Sequence, residues 1–346
     1  PQAFLTCDLP SRGSPCVDRN NMTSGRDHGG DLARAIAIHG GHASDWIDLS
    51  TGINRTPYPS DIISDISLRC LPDSIAMTAL LDAAALAYST TWPLAALAGA
   101  QAAIQLLPSL LDPGTLRILS PTYHEFAGTF ESAGWQVEKV TSLDDLRDAR
   151  VAVVVNPNNP TGAVFDPSEL LSIAQKTGLL IVDESFADPN PATSLLTHAM
   201  PNNVIVLRSF GKFFGLAGLR LGFAAGPLDL ITKIVNGAGP WRVSGPALEI
   251  GSRALSDTAW QARMRRQLSR DATRCDQLVT ATGWRPLGGT ALFRLYETPD
   301  AIAAQDKLAR HHIWTRVFPY SKTWLRLGIP GPEIEWHRLG TALKQG

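Results

Sequence analysis

Cysteine is scarce in this chain, and its spacing argues against two kinds of stabilisation. Cys7, Cys16, Cys70 and Cys275 are the four present, and they form neither a C-x-x-C pair nor the cysteine–histidine spacing of a zinc site. They read as free thiols in a reducing cytoplasm, which is the expected location, and no metal is expected. Long apolar runs are missing too. None approaches the ~20 residues that span a bilayer, and the first residues lack the basic-then-apolar order of a signal peptide. Nor is there an excess of either charge. Lys and Arg number 31 against 32 Asp and Glu, a net charge of −1 with the basic residues dispersed. Neither nucleic acid nor a membrane is therefore expected as a partner, and any bound anion must be caught locally.

What is there is a globular composition, 44% hydrophobic and 18% charged. A chain of 346 residues exceeds the usual size of one core, so a large domain and a smaller one are expected. Residues 1 to 21 are turn-rich and aperiodic, and the first 50 residues read as an N-terminal extension and arm. From about 95 to 226 one theme recurs, in which a short aliphatic run ends in a polar signature and a helical segment follows. The runs are LRILS before PTYHEF, VAVVV before NPNNPTG, LLIVD before ESFAD, and NVIVL before RSFGK. Uninterrupted apolar runs suit strands buried on both faces of a parallel sheet. Segments such as PSELLSIAQKTG carry the cap chemistry of crossover helices. The reading is an α/β fold with a large domain over 51–240. A small α+β domain over 241–346 is built from an Arg-rich helical stretch and strands at TALFRLY and TWLRLGI.

Ligands in an open α/β sheet sit beyond the carboxyl ends of the strands, where all four signatures fall. Asp183 closes LLIVD, where it either caps the next helix or holds a proton on a heteroaromatic nitrogen. In NPNNPTG the amide side chains offer a fixed donor and acceptor at the sheet edge. Tyr123 either packs or stacks on a planar ligand. Gly99, Ala100 and Gln101 would present backbone N–H groups at a helix N-terminus, a seat for phosphate. In RSFGKFFGLAGLRLGFAAG, Ser209 and Arg220 make an anion clamp, and Lys212 beside them is a candidate amine nucleophile.

This ordered set, a Gly-Ala turn, Tyr, NPNNPTG, VDES and SxxKxxGxxGxRxG, resembles fold-type I pyridoxal-phosphate enzymes of the class I/II aminotransferase group, from about residue 28 onward. The resemblance implies pyridoxal 5'-phosphate as cofactor and Lys212, Asp183 and Tyr123 as the catalytic set. Lys212 would bond covalently to the cofactor, Asp183 would pair with its ring nitrogen and Asn159 with its phenolic oxygen, and Tyr123 would stack on the ring. Gly99, Ala100, Gln101, Ser209 and Arg220 would hold the cofactor phosphate. Arg326 matches the family arginine that grips the carboxylate end of the substrate, and Arg316 is the second small-domain arginine.

Earlier in the chain, DHGGDLARAIAIHG and WIDLSTGINRTPYP resemble the start of the threonine-phosphate decarboxylases of cobalamin biosynthesis. That likeness implies a small phosphorylated amino-acid substrate, with His28 on its phosphate and Gly52, Ile53 and Asn54 lining the pocket. Asn159, Arg316 and Arg326 complete the substrate set. The expected reaction is decarboxylation of L-threonine O-3-phosphate to (R)-1-amino-2-propanol O-2-phosphate by a homodimer. The alternative is a histidinol-phosphate aminotransferase or a related aminotransferase. A cofactor-binding protein without catalysis is disfavoured by the intact Lys212, Asp183 and Arg326. The chain departs from the family pattern at two places: Phe186 stands where a Tyr is common, and Leu71-Pro72 where a Tyr-Pro reaches the partner subunit's site.

Overall fold

The computed structural model describes residues 29–60, 63–199 and 201–344. After a first helix, Leu32–His39, the chain lays down a two-residue strand, β1 (Ile47–Asp48). Seven strands of one sheet follow: β2 (Leu94–Leu97), β3 (Thr115–Leu119), β4 (Gln136–Val140), β5 (Val151–Val155), β6 (Leu179–Asp183), β7 (Val204–Ser209) and β8 (Gly222–Ala225). Their order is β2-β8-β7-β6-β5-β3-β4. From β4 to β7 the neighbours are parallel, and β8 runs antiparallel to both β7 and β2.

Alternation along the central strands explains their unbroken apolar sequence. Successive side chains point to opposite faces. Ala152, Val154, Leu180, Val182 and Val206 enter one core, with helices Ser74–Ala87, Pro167–Ala174 and Gly245–Ser256 over it. Val151, Val153, Ile181, Ile205 and Leu207 enter the other, under helices Ala100–Leu110, Glu125–Ser132 and Leu228–Ala238. Both faces are covered, so a polar residue on these strands is tolerated only at an end. The crossover helix Pro167–Ala174 starts as its sequence predicts: Asp166 accepts from Ser168 N, and Glu169 reaches back to complete the capping box.

The second sheet is antiparallel. Its members are β9 (Arg285–Gly289) and β10 (Phe293–Glu297), then, after a two-residue β11 (Ile313–Trp314), β12 (Arg316–Phe318) and β13 (Ser321–Gly328). They are ordered β12-β13-β10-β9. Helices Ala301–Ala309 and Glu333–Lys344 pack on it.

Packing does not follow the expected limits at residues 50 and 240. Helix Gly245–Ser256 buries Ala247, Leu248 and Leu255 in a core of the large sheet. The 23-residue helix Thr258–Thr280 serves both sides. Its Trp260, Met264 and Leu268 join that same core, whereas Ala272, Cys275 and Val279 join the core of the small sheet. The described part of the presumed arm, from residue 29, is anchored as well. β1 pairs in parallel with β11, Ile47 and Leu49 are buried in the small-sheet core, and Trp46 packs with Ala309 and Trp314. The physical reason is amphipathicity: an Arg-rich helix still carries an apolar stripe, and that stripe packs wherever apolar surface is waiting.

Candidate active site

Strand alternation sorts the polar residues at the ends of β6 and β7. Asp183 and Ser209 point to the face that carries helix Ala100–Leu110, while Glu184, just past the end of β6, and Arg208, the preceding residue of β7, point to the other. On that second face Arg208 Nη1 donates to Glu184 Oε2 at 3.0 Å and Nη2 to Asp188, with the guanidinium 4.4 Å from the centre of the Tyr88 ring. A buried ion group thus braces the two strand ends from behind.

In front, Asp183 Oδ1 accepts from Ser185 N at 2.9 Å and from Ser185 Oγ at 2.5 Å. Burial pushes the Asp183 carboxyl above its ordinary range, against these bonds and the attraction of Lys212. Lys212 lies in the single helical turn Phe210–Phe213 that follows β7. Burial lowers its amine from 10.5 to about 8, Arg326 and Arg220 adding to the effect and Asp183 opposing it. Among the described residues nothing hydrogen-bonds to its Nζ, which lies 5.7 Å from the centre of the Phe186 ring.

Gly99 opens helix Ala100–Leu110 at φ 87, in the left-handed region that favours glycine. A Cβ there would lie 2.8 Å from Arg220 Nη2, and one on Gly222 would lie 2.4 Å from Ala100 N. The missing side chains bring Arg220 and the first helical N–H groups together, and those groups have no carbonyl one turn back to bond. Tyr123 donates to Gln101 Oε1 at 3.0 Å.

The small sheet closes the opposite wall. Arg316 and Arg326 face each other in register across β12 and β13. Arg326 donates through Nη1 to Asn159 Oδ1 and through Nη2 to Ser50 O at 2.6 Å, while its buried Nε has no partner among the described residues. Burial and the neighbouring Arg316 lower it to about 10. These groups enclose a cavity of about 680 Å³ lined by Gly52, Tyr123, Asn159, Lys212, Arg316 and Arg326, among others. A recess of about 170 Å³ opens from it between Gly99, Ala100, Asp183, Ser209, Lys212 and Arg220.

Most of the residues singled out from sequence therefore meet at one place, and two of the described ones do not line it. His28 lies outside the described residues. Ile53 and Asn54 are absent from the cavity walls. Asn54 instead spends its side chain on the lysine turn: Nδ2 donates to Phe213 O at 2.9 Å, and its backbone N to Lys212 O at 2.9 Å. Sequence reasoning passed over Ser185, Glu125 and Tyr320. Ser185 sits in VDES, two residues after the carboxylate it bonds, a spacing typical of side-chain-to-backbone turns. Glu125 stands in PTYHEF and Tyr320 in RVFPY, each within five residues of a residue already chosen.

The family model for aminotransferase class I and II matches residues 73–339. The chain belongs to the aminotransferase class I and II family. Two relatives of this aminotransferase-family chain are named threonine-phosphate decarboxylase. The Sinorhizobium protein is 43% identical, with 91% of this chain and 97% of the relative covered. The Pseudomonas aeruginosa protein is 41% identical, with 92% and 97% covered. A solved histidinol-phosphate aminotransferase from Sinorhizobium meliloti, in complex with pyridoxal-5'-phosphate, shares the fold at a TM-score of 0.75 and 19% identity, covering 90% of this chain and 93% of its own. Pyridoxal 5'-phosphate is the cofactor of this aminotransferase family, and the recess fits it. A helix N-terminus beside a guanidinium suits its phosphate, an amine without a hydrogen-bond partner suits its aldehyde, and a buried carboxylate with one oxygen engaged suits its ring nitrogen.

Proposed function

We propose that the chain is a pyridoxal-phosphate-dependent carboxy-lyase that converts L-threonine O-3-phosphate to (R)-1-amino-2-propanol O-2-phosphate and CO2 in cobalamin biosynthesis. The observation that carries this reading is the extent of the likeness to the two decarboxylases. A match over 91% of the chain does not fit within residues 73–346 alone, so it reaches into the N-terminal segment that precedes the family model. That segment includes Gly52, on the cavity wall. Two guanidinium groups side by side suit a small molecule that carries both a phosphate and a carboxylate.

In this reading Ala100, Gln101, Ser209 and Arg220 would hold the cofactor phosphate, Asp183 the ring nitrogen, Asn159 the phenolic oxygen and Lys212 the aldehyde carbon, with Tyr123 against the ring. When bound, pyridoxal phosphate supplies an electron sink beside the substrate Cα. Arg316 and Arg326 anchor the substrate's anionic groups and so set which bond at Cα is presented for cleavage. When the bond to the carboxylate breaks, CO2 leaves, Cα keeps the electron pair, and one proton must be returned to it. Lys212 is suited to deliver that proton, because an amine lowered to about 8 gains and loses it readily near neutral pH. Asp183, kept from water by burial, would hold a proton on the ring nitrogen rather than exchange it with solvent.

The chain works as a homodimer in the cytoplasm. Ile63, Ile66, Leu68, Leu71 and Ile75 stand exposed along one segment, an apolar surface that a second copy would cover. The test of activity is incubation with L-threonine O-3-phosphate and pyridoxal phosphate, with no keto acid added. Release of CO2 with one equivalent of aminopropanol phosphate is expected. Turnover that depends on 2-oxoglutarate and yields glutamate would instead make the chain an aminotransferase.

A further inference from the structure

Glu125 opens the helix Glu125–Ser132 and is buried to 6% exposure, although it belongs to neither cationic cluster of the cavity. Its Oε2 accepts from Gln101 Nε2 at 2.8 Å, and Gln101 Oε1 accepts from the Tyr123 hydroxyl at 3.0 Å. The two ends of a glutamine amide are nearly the same in shape, so packing alone leaves its orientation open. A carboxylate settles it, because an ionised carboxylate accepts and never donates. Gln101 must turn its NH2 to Glu125 and its carbonyl to Tyr123. The phenol is then held as a donor, its proton engaged by Gln101 and its ring fixed at the junction of the cavity and the recess, both of which it lines.

We propose that Glu125 is a positioning residue that acts through Gln101 to hold the Tyr123 ring for cofactor binding. The inference rests on the reading that pyridoxal phosphate occupies the recess. It assigns no acid or base role to Glu125, whose accepting oxygen orients an amide.

A double-mutant cycle tests it, read as the dissociation constant of pyridoxal 5'-phosphate in equilibrium dialysis of the holoenzyme. Glu125→Leu is expected to weaken cofactor binding by about tenfold, the worth of one hydrogen bond to a charged group. In a Tyr123→Phe background, which keeps the ring but has no hydroxyl to orient, the same change is expected to cost less than about twofold. Glu125→Gln, which matches the shape but offers a donor as well as an acceptor, no longer dictates the Gln101 amide and is expected to fall between the parent and the leucine variant. Equal losses from Glu125→Leu in both backgrounds would mean a structural role at the helix start and overturn the proposal. Parent protein that binds no cofactor would overturn the occupancy reading, and this inference with it. Melting temperatures of the cofactor-free variants distinguish weakened binding from lost folding.

Discussion

Lys212 has a chemical use and a structural cost, and both follow from its surroundings. Its amine lies at about 8 in the folded protein against 10.5 for the free side chain, so between those values the unfolded chain binds more protons. The cost to stability is therefore complete below about pH 8 and fades as pH rises toward 10.5. Lys212→Met should stabilise the cofactor-free protein by roughly 1–3 kcal/mol at neutral pH. In thermal unfolding the gain should shrink across pH 8 to 10.5, and the same variant should bind no cofactor covalently and lose turnover. Arg208 is the opposite case, a buried cation held by two carboxylates. Arg208→Met leaves Glu184 and Asp188 buried without it and should cost about 3–5 kcal/mol in denaturant unfolding. Burial already raises the Glu184 carboxyl, so the folded variant takes up a proton before the unfolded chain does. Part of its lost stability should return as pH falls, and a deficit independent of pH would contradict this account.

At the scale of elements, the site depends on how closely β8 approaches the start of helix Ala100–Leu110. The contact is between backbones, and a glycine permits it. At Gly222 a Cβ would lie 2.4 Å from Ala100 N and 2.6 Å from Gly99 C, neither of which is free to move aside as a side-chain tip is. Gly222→Ala should therefore destabilise by about 1–3 kcal/mol. It should also weaken cofactor retention in gel filtration, because the helix N-terminus is displaced. Gly218 is the control, nine residues after the end of β7 and with nothing within 4 Å of an added Cβ. Gly218→Ala should stay within about 0.5 kcal/mol and keep its cofactor. If the two variants behave alike, close approach is not what sets the position of the phosphate seat.

Across the whole molecule, two parts of the chain tie the sheets together. Helix Thr258–Thr280 contributes to both cores, and the segment at β1, paired with β11, brings Ile47 and Leu49 into the core of the small sheet. The cavity lies between them, with Lys212 and Asp183 on one side and Arg316 and Arg326 on the other. Closure of the substrate site is thus a matter of how the two sheets are held. The exposed apolar segment makes a prediction at the same scale. Leu71 is 66% exposed, and replacing it with Asp places a charge where a second copy would pack. Analytical ultracentrifugation should find the parent dimeric and Leu71→Asp shifted toward monomer. A parent that is monomeric at micromolar concentration would end the dimer reading.

The strand ends were legible because their chemistry is local. A strand covered on both faces must be an uninterrupted apolar run, so the polar residues that close LLIVD and NVIVL stand out. Period-two alternation then separates Asp183 from Glu184 and Ser209 from Arg208 without any knowledge of the fold. The lysine, its glycines and the helix-opening Gly99 were readable for the same reason, since each carries its own conformational or electrostatic signature. Other features had no local sign. Arg326 meets Asn159 across 167 residues and Ser50 across 276. Asn54, read as a pocket residue, spends its amide on the lysine turn 159 residues away. The orientation of Gln101 depends on Glu125, whose carboxylate is one of many along the chain. Residue type and spacing thus determined the mostly parallel sheet and the polar residues at its strand ends, whose rules operate over a few residues, and the cofactor followed from the family resemblance those motifs carry. Which distant groups complete one another's hydrogen bonds was decided only when the two cores packed, because buried donors and acceptors must find partners and only the closed chain brings those partners within reach.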